Sequence, residues 1–290
     1  MGVFHTNFTS LAVGGSPILP GNGALGIIGD GKTFYVDPGS GSNGNHGETP
    51  DKAKAGLAAA LALCVADRGD VIVRMPGTET VTSPIEIAVP GVTIVASAHG
   101  HPPGVKGESF TTYNSSATGL SAVKILDTCR IVGLGFAASD VSEEALLIDA
   151  EEQGGFNGGF VSLEGCRFPL WNGNLACSIR MIAGALNHVL GCVFDGLFGD
   201  YAEAAIILEG DTGGFTSFYP QIGYNRFHRL GSAIPAIKFA TGSAPDEVWI
   251  AHNYVGSEGI LLDNNSEASD GIAVGNYLHV AAAADGGNAV

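Results

Sequence analysis

The sequence predicts an all-β solenoid, a parallel β-helix that carries a capping α-helix near its N-terminal end. Two observations point there. Between residues 129 and 280 a short pattern of apolar, any, small or Asn or Cys, any, then Phe-like recurs six times, and between successive copies sits a second short strand-like run. Composition agrees: 44 glycines and only 14% charged residues among 290 favour many tight turns and few amphipathic surface helices.

From the N-terminus, residues 1–32 mix Gly and Pro with Val, Phe, Leu and Ile but hold only Asp30 and Lys32 as charges. Such a segment buries apolar surface against a partner or the rest of the chain. It reads as an arm, the alternative being a strand or two of the main domain, which then occupies 33–290. Thr33 to Val36 is a strand, and the glycine-rich run after it, GSGSNG at 39–44, has the Gly-x-Gly-x-x-Gly spacing of a dinucleotide loop. A dinucleotide site needs its third glycine at the helix N-terminus, where N–H groups meet the pyrophosphate. Here NHGETP intervenes, and the next strand, VIVRM, lacks the acid that would hold a ribose. The glycines therefore predict a flexible excursion. Thr49-Pro50-Asp51 is a helix start, with a capping hydroxyl, a proline suited to the first position and an acid for the dipole. The helix is expected over about 50–66, with Leu57, Leu61 and Cys64 on one face. DVIVRMPG and IEIAVPGVTIVAS follow as strands separated by Pro-Gly turns.

The repeated copies are CRIVGLGFAAS, VSLEGCRFPL, HVLGCVFDGL, PQIGYNRFHRL, VWIAHNYVGS and IAVGNYLHV, anchored at Phe136, Phe168, Phe194, Phe227, Val255 and Leu278. The anchor spacing, 32, 26, 33, 28 and 23 residues, lies within the solenoid range. The intervening runs are ALLIDA, CSIRMIA, AAIILEG, AIKFA and GILLDN. Coils stacked about 4.8 Å apart align like positions into columns. Two residues before each anchor, the inward column is Leu134, Cys166, Cys192, Asn225, Asn253 and Asn276, whose Asn members can hydrogen-bond along a ladder. Phe168 and Phe194 stack beside them. Residues flanking the anchor point outward, giving one column of Arg167, Val193, Arg226, Tyr254 and Tyr277 and another of Pro169, Asp195, His228, Gly256 and His279.

The order YVDPGSGSNGN, ETPDKAKAGLAAALALC, GDVIVRMPGT, VTIVAS resembles the opening of the pectate-lyase-like right-handed parallel β-helix superfamily, in which a helix plugs the N-terminal end of the solenoid. The resemblance is specific over about 33–97 and diffuse to about 280. It implies fold more than chemistry, because that superfamily spans polysaccharide lyases, glycoside hydrolases, phage tailspikes and other virion proteins. Polygalacturonase-type members share an Asn-Thr-Asp, an Asp-Asp pair and a His-Gly, whereas this chain offers only His99-Gly100, placed too early. Pectate lyases pair calcium-binding acids with an arginine base. Asp195, Asp200, Glu203, Glu209, Asp211 and Arg226 lie within about one coil without a diagnostic spacing, and the acids among them read as solvated turn acids. Glu143, Glu144, Asp149, Glu151 and Glu152 read as a charged, solubilising edge.

The candidate binding face is therefore Arg167, Arg226, Tyr254, Tyr277, Asp195, His228 and His279, side chains suited to stacking on sugar rings, bonding hydroxyls or docking a protein. If the chain is an enzyme, a lyase or hydrolase, Asp195, His228 and Arg226 are the catalytic candidates. A net charge of −16 argues against nucleic acid and acidic membranes. The longest apolar run falls short of the ~20 residues of a membrane span, and no basic n-region marks a signal peptide. Five cysteines without Cys-x-x-Cys pairs predict buried, reduced thiols, with no disulfide framework, metal or cofactor. Together with the resemblance, these features lead to the expectation of a non-enzymatic protein of a tailed-phage virion, a capsid decoration or tail spike. Its expected partners are other virion proteins, bound through 1–32, and host-surface polysaccharide, and it is expected to form a homotrimer.

Overall fold

A computed structural model describes residues 11–13, 16–18, 31–97, 111–115, 121–138, 144–149, 160–169, 175–182, 186–196, 201–210, 219–228, 230, 234–240, 245, 247–256, 260–263 and 271–279. His99, Gly100, Glu143, Glu151, Glu152, Asp200 and Asp211 lie outside the described residues, as does most of the expected arm. Within 1–32, Leu11–Val13 and Ser16–Ile18 pair antiparallel with each other.

Described residues from Thr33 onward form three parallel sheets of nine, eight and seven strands, each ordered by coil. One coil visits the three sheets in turn: Cys129–Val132 in the nine-stranded sheet, Gly135–Ala138 in the eight-stranded, Glu144–Asp149 in the seven-stranded, then Val161–Glu164 back in the first. The fold is thus the parallel β-helix expected from sequence, right-handed as parallel crossovers are. The repeat predicts at least two strands per coil, and the structure has three, one in each sheet.

Stacking turns one inward position into a ladder. Ile94, Ile131, Leu163, Val189, Ile222 and Ile250 are consecutive register partners in the nine-stranded sheet, and each is buried. Burying such a side chain contributes about 1.5–3 kcal/mol. In the eight-stranded sheet, Phe136, Phe168, Phe194 and Phe227 stack with successive centroid distances of 5.6, 4.8 and 4.7 Å.

The corner between those two sheets explains the asparagines. Its first residue is left-handed in six coils: Gly133, Gly165, Gly191, Tyr224, His252 and Gly275, with φ between 56° and 73°. Glycine adopts this conformation freely, whereas an L-residue loses about 1–2 kcal/mol. The next residue turns inward. Asn225 Oδ1 accepts from the Cys192 N–H at 2.8 Å, and its Nδ2 donates to Val189 O at 2.9 Å and Asn253 Oδ1 at 3.0 Å. Asn253 repeats the arrangement with Ile222 O and Asn276. Cys192 and Cys166 hold the same column, their thiols donating to Leu163 O and Ile131 O at 3.6 Å. Leu163, Ile131, Val189 and Ile222 share one register column, so Asn and Cys serve the same carbonyl in successive coils. Cys129, Cys166, Cys177 and Cys192 are buried free thiols, as expected, and Cys64 is half-buried.

The N-terminal edge departs from the sequence reading twice. The helix expected over 50–66 is instead a 3-10 turn, Pro50–Lys52, and a separate five-residue helix, Leu57–Leu61. Between them Ala53 turns extended, because Lys54 bridges Val36 on the exposed sheet edge and its N–H donates to Tyr35 O at 2.9 Å. Pairing an open edge strand outweighs helix propensity here. The helix restarts where the Glu79 carboxylate accepts from the Leu57 N–H at 3.2 Å, and it packs against Thr33–Val36, Val71–Arg74 and Ile85–Ile87. The glycine run is likewise no loose excursion. Gly47 O accepts from Tyr35 N–H, completing the edge, and a Cβ on Gly41 would fall 2.3 Å from Lys54 O, so this close approach requires glycine.

Candidate functional site

The two outward columns exist in the expected register. Arg167 pairs with Val193, Val193 with Arg226, Arg226 with Tyr254 and Tyr254 with Tyr277. Two positions on, Pro169 pairs with Asp195, Asp195 with His228, and Gly256 with His279. The alternation that buries the Phe stack turns their neighbours outward, so the face follows from the core.

Within it, Asp195 is the one carboxylate of the two columns, and it is buried to 7% exposure with Arg167 Nη2 3.6 Å from its Oδ2. That arginine, one coil earlier, offsets the carboxylate's charge. His228 lies one coil later, its ring tilted against Tyr254 at 5.9 Å. Gly256 leaves the space both rings use, since a Cβ there would lie 3.3 Å from Tyr254 Cε1 and 3.5 Å from His228 Nδ1. Arg226 and Tyr277 are exposed, Tyr277 to 66%. The strand holding His279 is described, but its side chain is outside the described set. The structure thus brings Arg167, Asp195, Arg226, His228 and Tyr254 onto four consecutive coils, with Tyr277 one coil further. Such a row of cation, ring and hydroxyl groups can stack against and hydrogen-bond a polyhydroxylated or protein surface. Acid–base hydrolysis with two facing carboxylates needs a second acid, which these columns do not supply.

A second charged face was not read from sequence. On the outer side of the seven-stranded sheet Arg180 donates from Nη1 to Glu209 Oε2 at 2.6 Å and from Nε to Glu144 Oε2 at 3.3 Å. Lys124 pairs with Asp149 at 3.1 Å and Lys238 with Glu203 at 2.7 Å. Glu144, expected on a solvated edge, is buried at 5% exposure because Arg180 from the next coil reaches it. Lys124, Leu147, Arg180, Ile207 and Lys238 are one register column. Overlaying VKI, CSIRMI and AIKFA would have put these three cations in line. Among the described residues, no three potential metal ligands converge, and no helix is long and apolar enough to cross a membrane.

No protein-family model matches the chain, and no curated protein matches it. Solved structures of similar shape include a GH136 lacto-N-biosidase from Eubacterium ramulus, 10% identical, TM-score 0.41, covering 87% of this chain and 68% of that one. A rhamnogalacturonan lyase is 16% identical, TM-score 0.35, covering 86% and 62%. ORF18 of Geobacillus virus E2 is 10% identical, TM-score 0.37, covering 77% and 56%. The chain thus spans less than two thirds of the last two.

Proposed function

We propose that this chain is a non-enzymatic structural protein of a tailed-phage virion surface, a capsid decoration or spike, whose outer columns attach to glycan or to neighbouring virion proteins. The observation that carries the reading is the use of charge on the outer faces. Arg167 with Asp195, Arg180 with Glu144 and Glu209, and Arg130 with Glu164 at 2.6 Å each join one coil to the next. Ion pairs between coils fix a rigid surface rather than poise an acid and a base, whose roles need separated protonation states. In this reading residues 1–32 contact other virion proteins, three copies assemble, and Arg226, Tyr254 and Tyr277 supply the adhesive row.

A polysaccharide lyase or glycoside hydrolase is the second reading, favoured by His228 and Arg226 lying one coil from Asp195. Incubation with acidic and neutral polysaccharides, scored for reducing ends and unsaturated products, separates the two. The expected result is no turnover, with co-sedimentation of the protein on intact particles. Turnover that Asp195→Ala or Arg226→Ala abolishes would replace the structural role with the enzymatic one.

A further inference from the structure

The corner column immediately before the Asn ladder is glycine in four coils and aromatic in two, Tyr224 and His252, both left-handed. Their ring centroids are 5.1 Å apart with planes 19° from parallel. Near-parallel rings that close cannot lie edge to edge without overlap, so they are stacked along the solenoid axis. The stack has a closed end: a Cβ on Gly275, one coil beyond His252, would fall 2.5 Å from the imidazole Nδ1. Trp249 flanks it, lying across Gly223, where a Cβ would meet Cζ3 at 2.6 Å. The other end is open. Tyr224 is 60% exposed, and the coil before it holds Gly191, where a Cβ would meet nothing within 4 Å among the described residues. The same is true of Gly165, two coils before. At about 4.8 Å per coil, the missing side chains leave a shelf about two rings deep on the free face of Tyr224.

We propose that this shelf is a binding site for pyranose rings of a neutral glycan, which continue the His252–Tyr224 stack over Gly191 and Gly165. The inference rests on the glycan-attachment arm of the function proposed above and places it at a corner that the sequence reading did not single out. A pyranose offers a C–H-rich face to the electron-rich face of a tyrosine ring and hydroxyls around its rim. Exposed Arg226, two residues after Tyr224, is a hydroxyl partner on the same coil. A net charge of −16 selects neutral sugars over uronates and nucleotides. Ring side chains in a backbone conformation that four sibling coils give to glycine mark a position kept for its rings rather than for the turn.

The full chain is titrated calorimetrically with cellohexaose, maltohexaose and hexagalacturonate. At least one neutral hexasaccharide is expected to bind. Tyr224→Gly should weaken it at least tenfold without lowering the urea midpoint, since glycine suits that backbone. Gly191→Asn, which tolerates the left-handed conformation and fills the shelf, should do the same, and Tyr224→Trp should keep binding. A Tyr224→Gly variant of reduced stability with unchanged affinity overturns the site, leaving the ring as corner packing. Affinity unmoved by both shelf variants but lost in Arg226→Ala and Tyr254→Ala overturns the shelf while leaving the glycan reading standing. Preference for hexagalacturonate overturns the neutral assignment, and binding of none of the three overturns the shelf and the glycan arm together.

Discussion

Removing one rung of the Asn ladder tests the architecture at its most constrained point. Asn225 is wholly buried. Truncating it in Asn225→Ala leaves the Cys192 N–H without its acceptor and Val189 O without the amide that serves it. Each buried backbone group left unmet costs about 1–3 kcal/mol, so the pair amounts to about 2–6 kcal/mol. The ladder supplies its own control. Cys192 and Cys166 already occupy this column and donate to the equivalent carbonyls. Asn225→Cys should therefore recover Val189 O and leave only the Cys192 N–H orphaned, a cost of about 1–3 kcal/mol. With an m-value of about 3 kcal/mol per molar urea, the Ala variant should lose about 0.7–2 M in unfolding midpoint and the Cys variant about 0.3–1 M. Urea titration followed by circular dichroism reads both. A midpoint for Asn225→Ala within about 0.2 M of the parent, or a Cys variant no better than Ala, would refute the claim that these side chains satisfy the corner.

Two further outcomes follow from burial. Asn187 is 1% exposed and, among the described residues, neither side-chain amide atom has a partner; Asn187→Val should stabilise the chain by about 1–3 kcal/mol, and a lower urea midpoint would show that the amide is satisfied in solution. Burial pushes the thiols of Cys129, Cys177 and Cys192 up, and that of Cys64 up to about 12. A folded value raised above the unfolded one of about 8.5 means that stability is complete below about pH 8.5 and is lost as pH rises toward the folded values. Ellman's reagent at pH 8 should leave the thiols of Cys129, Cys177 and Cys192 untouched, and their fast stoichiometric labelling without unfolding would contradict their placement in the core.

The columns were legible because a parallel solenoid sets residues of one pattern position above one another, so periodicity in the chain becomes contiguity in space. Phe136, Phe168, Phe194 and Phe227 could be aligned by eye, and the register of Arg167, Arg226 and Tyr254 followed from alternation alone. What escaped depends on partners far along the chain. Propensity at Thr49–Ala66 favours one helix, but the edge strand at Tyr35–Val36 takes Lys54 for pairing. Glu144 looked like a solvated acid because Arg180, 36 residues later, reaches it only after two coils have stacked. Backbone sign is invisible in single residues as well. The signal was present only as a column in which Gly133, Gly165, Gly191 and Gly275 outnumber Tyr224 and His252.

That minority separates two demands on the same chain. Inward positions answer to stacking: Ile for Ile, Phe for Phe, and Cys tolerated for Asn because it serves the same carbonyl. Outward positions are released from that rule, and several use the freedom for ion pairs between coils. Tyr224 and His252 do neither. Each holds a left-handed backbone that glycine would adopt at about 1–2 kcal/mol less, and the ring stack they form is shut by Gly275 on one side while opening over Gly191 on the other. A solenoid can carry such local costs because its stability is a sum over neighbouring coils. The strained corner is therefore separable from the fold, and changes there should alter what the surface binds before they alter whether the coils stack.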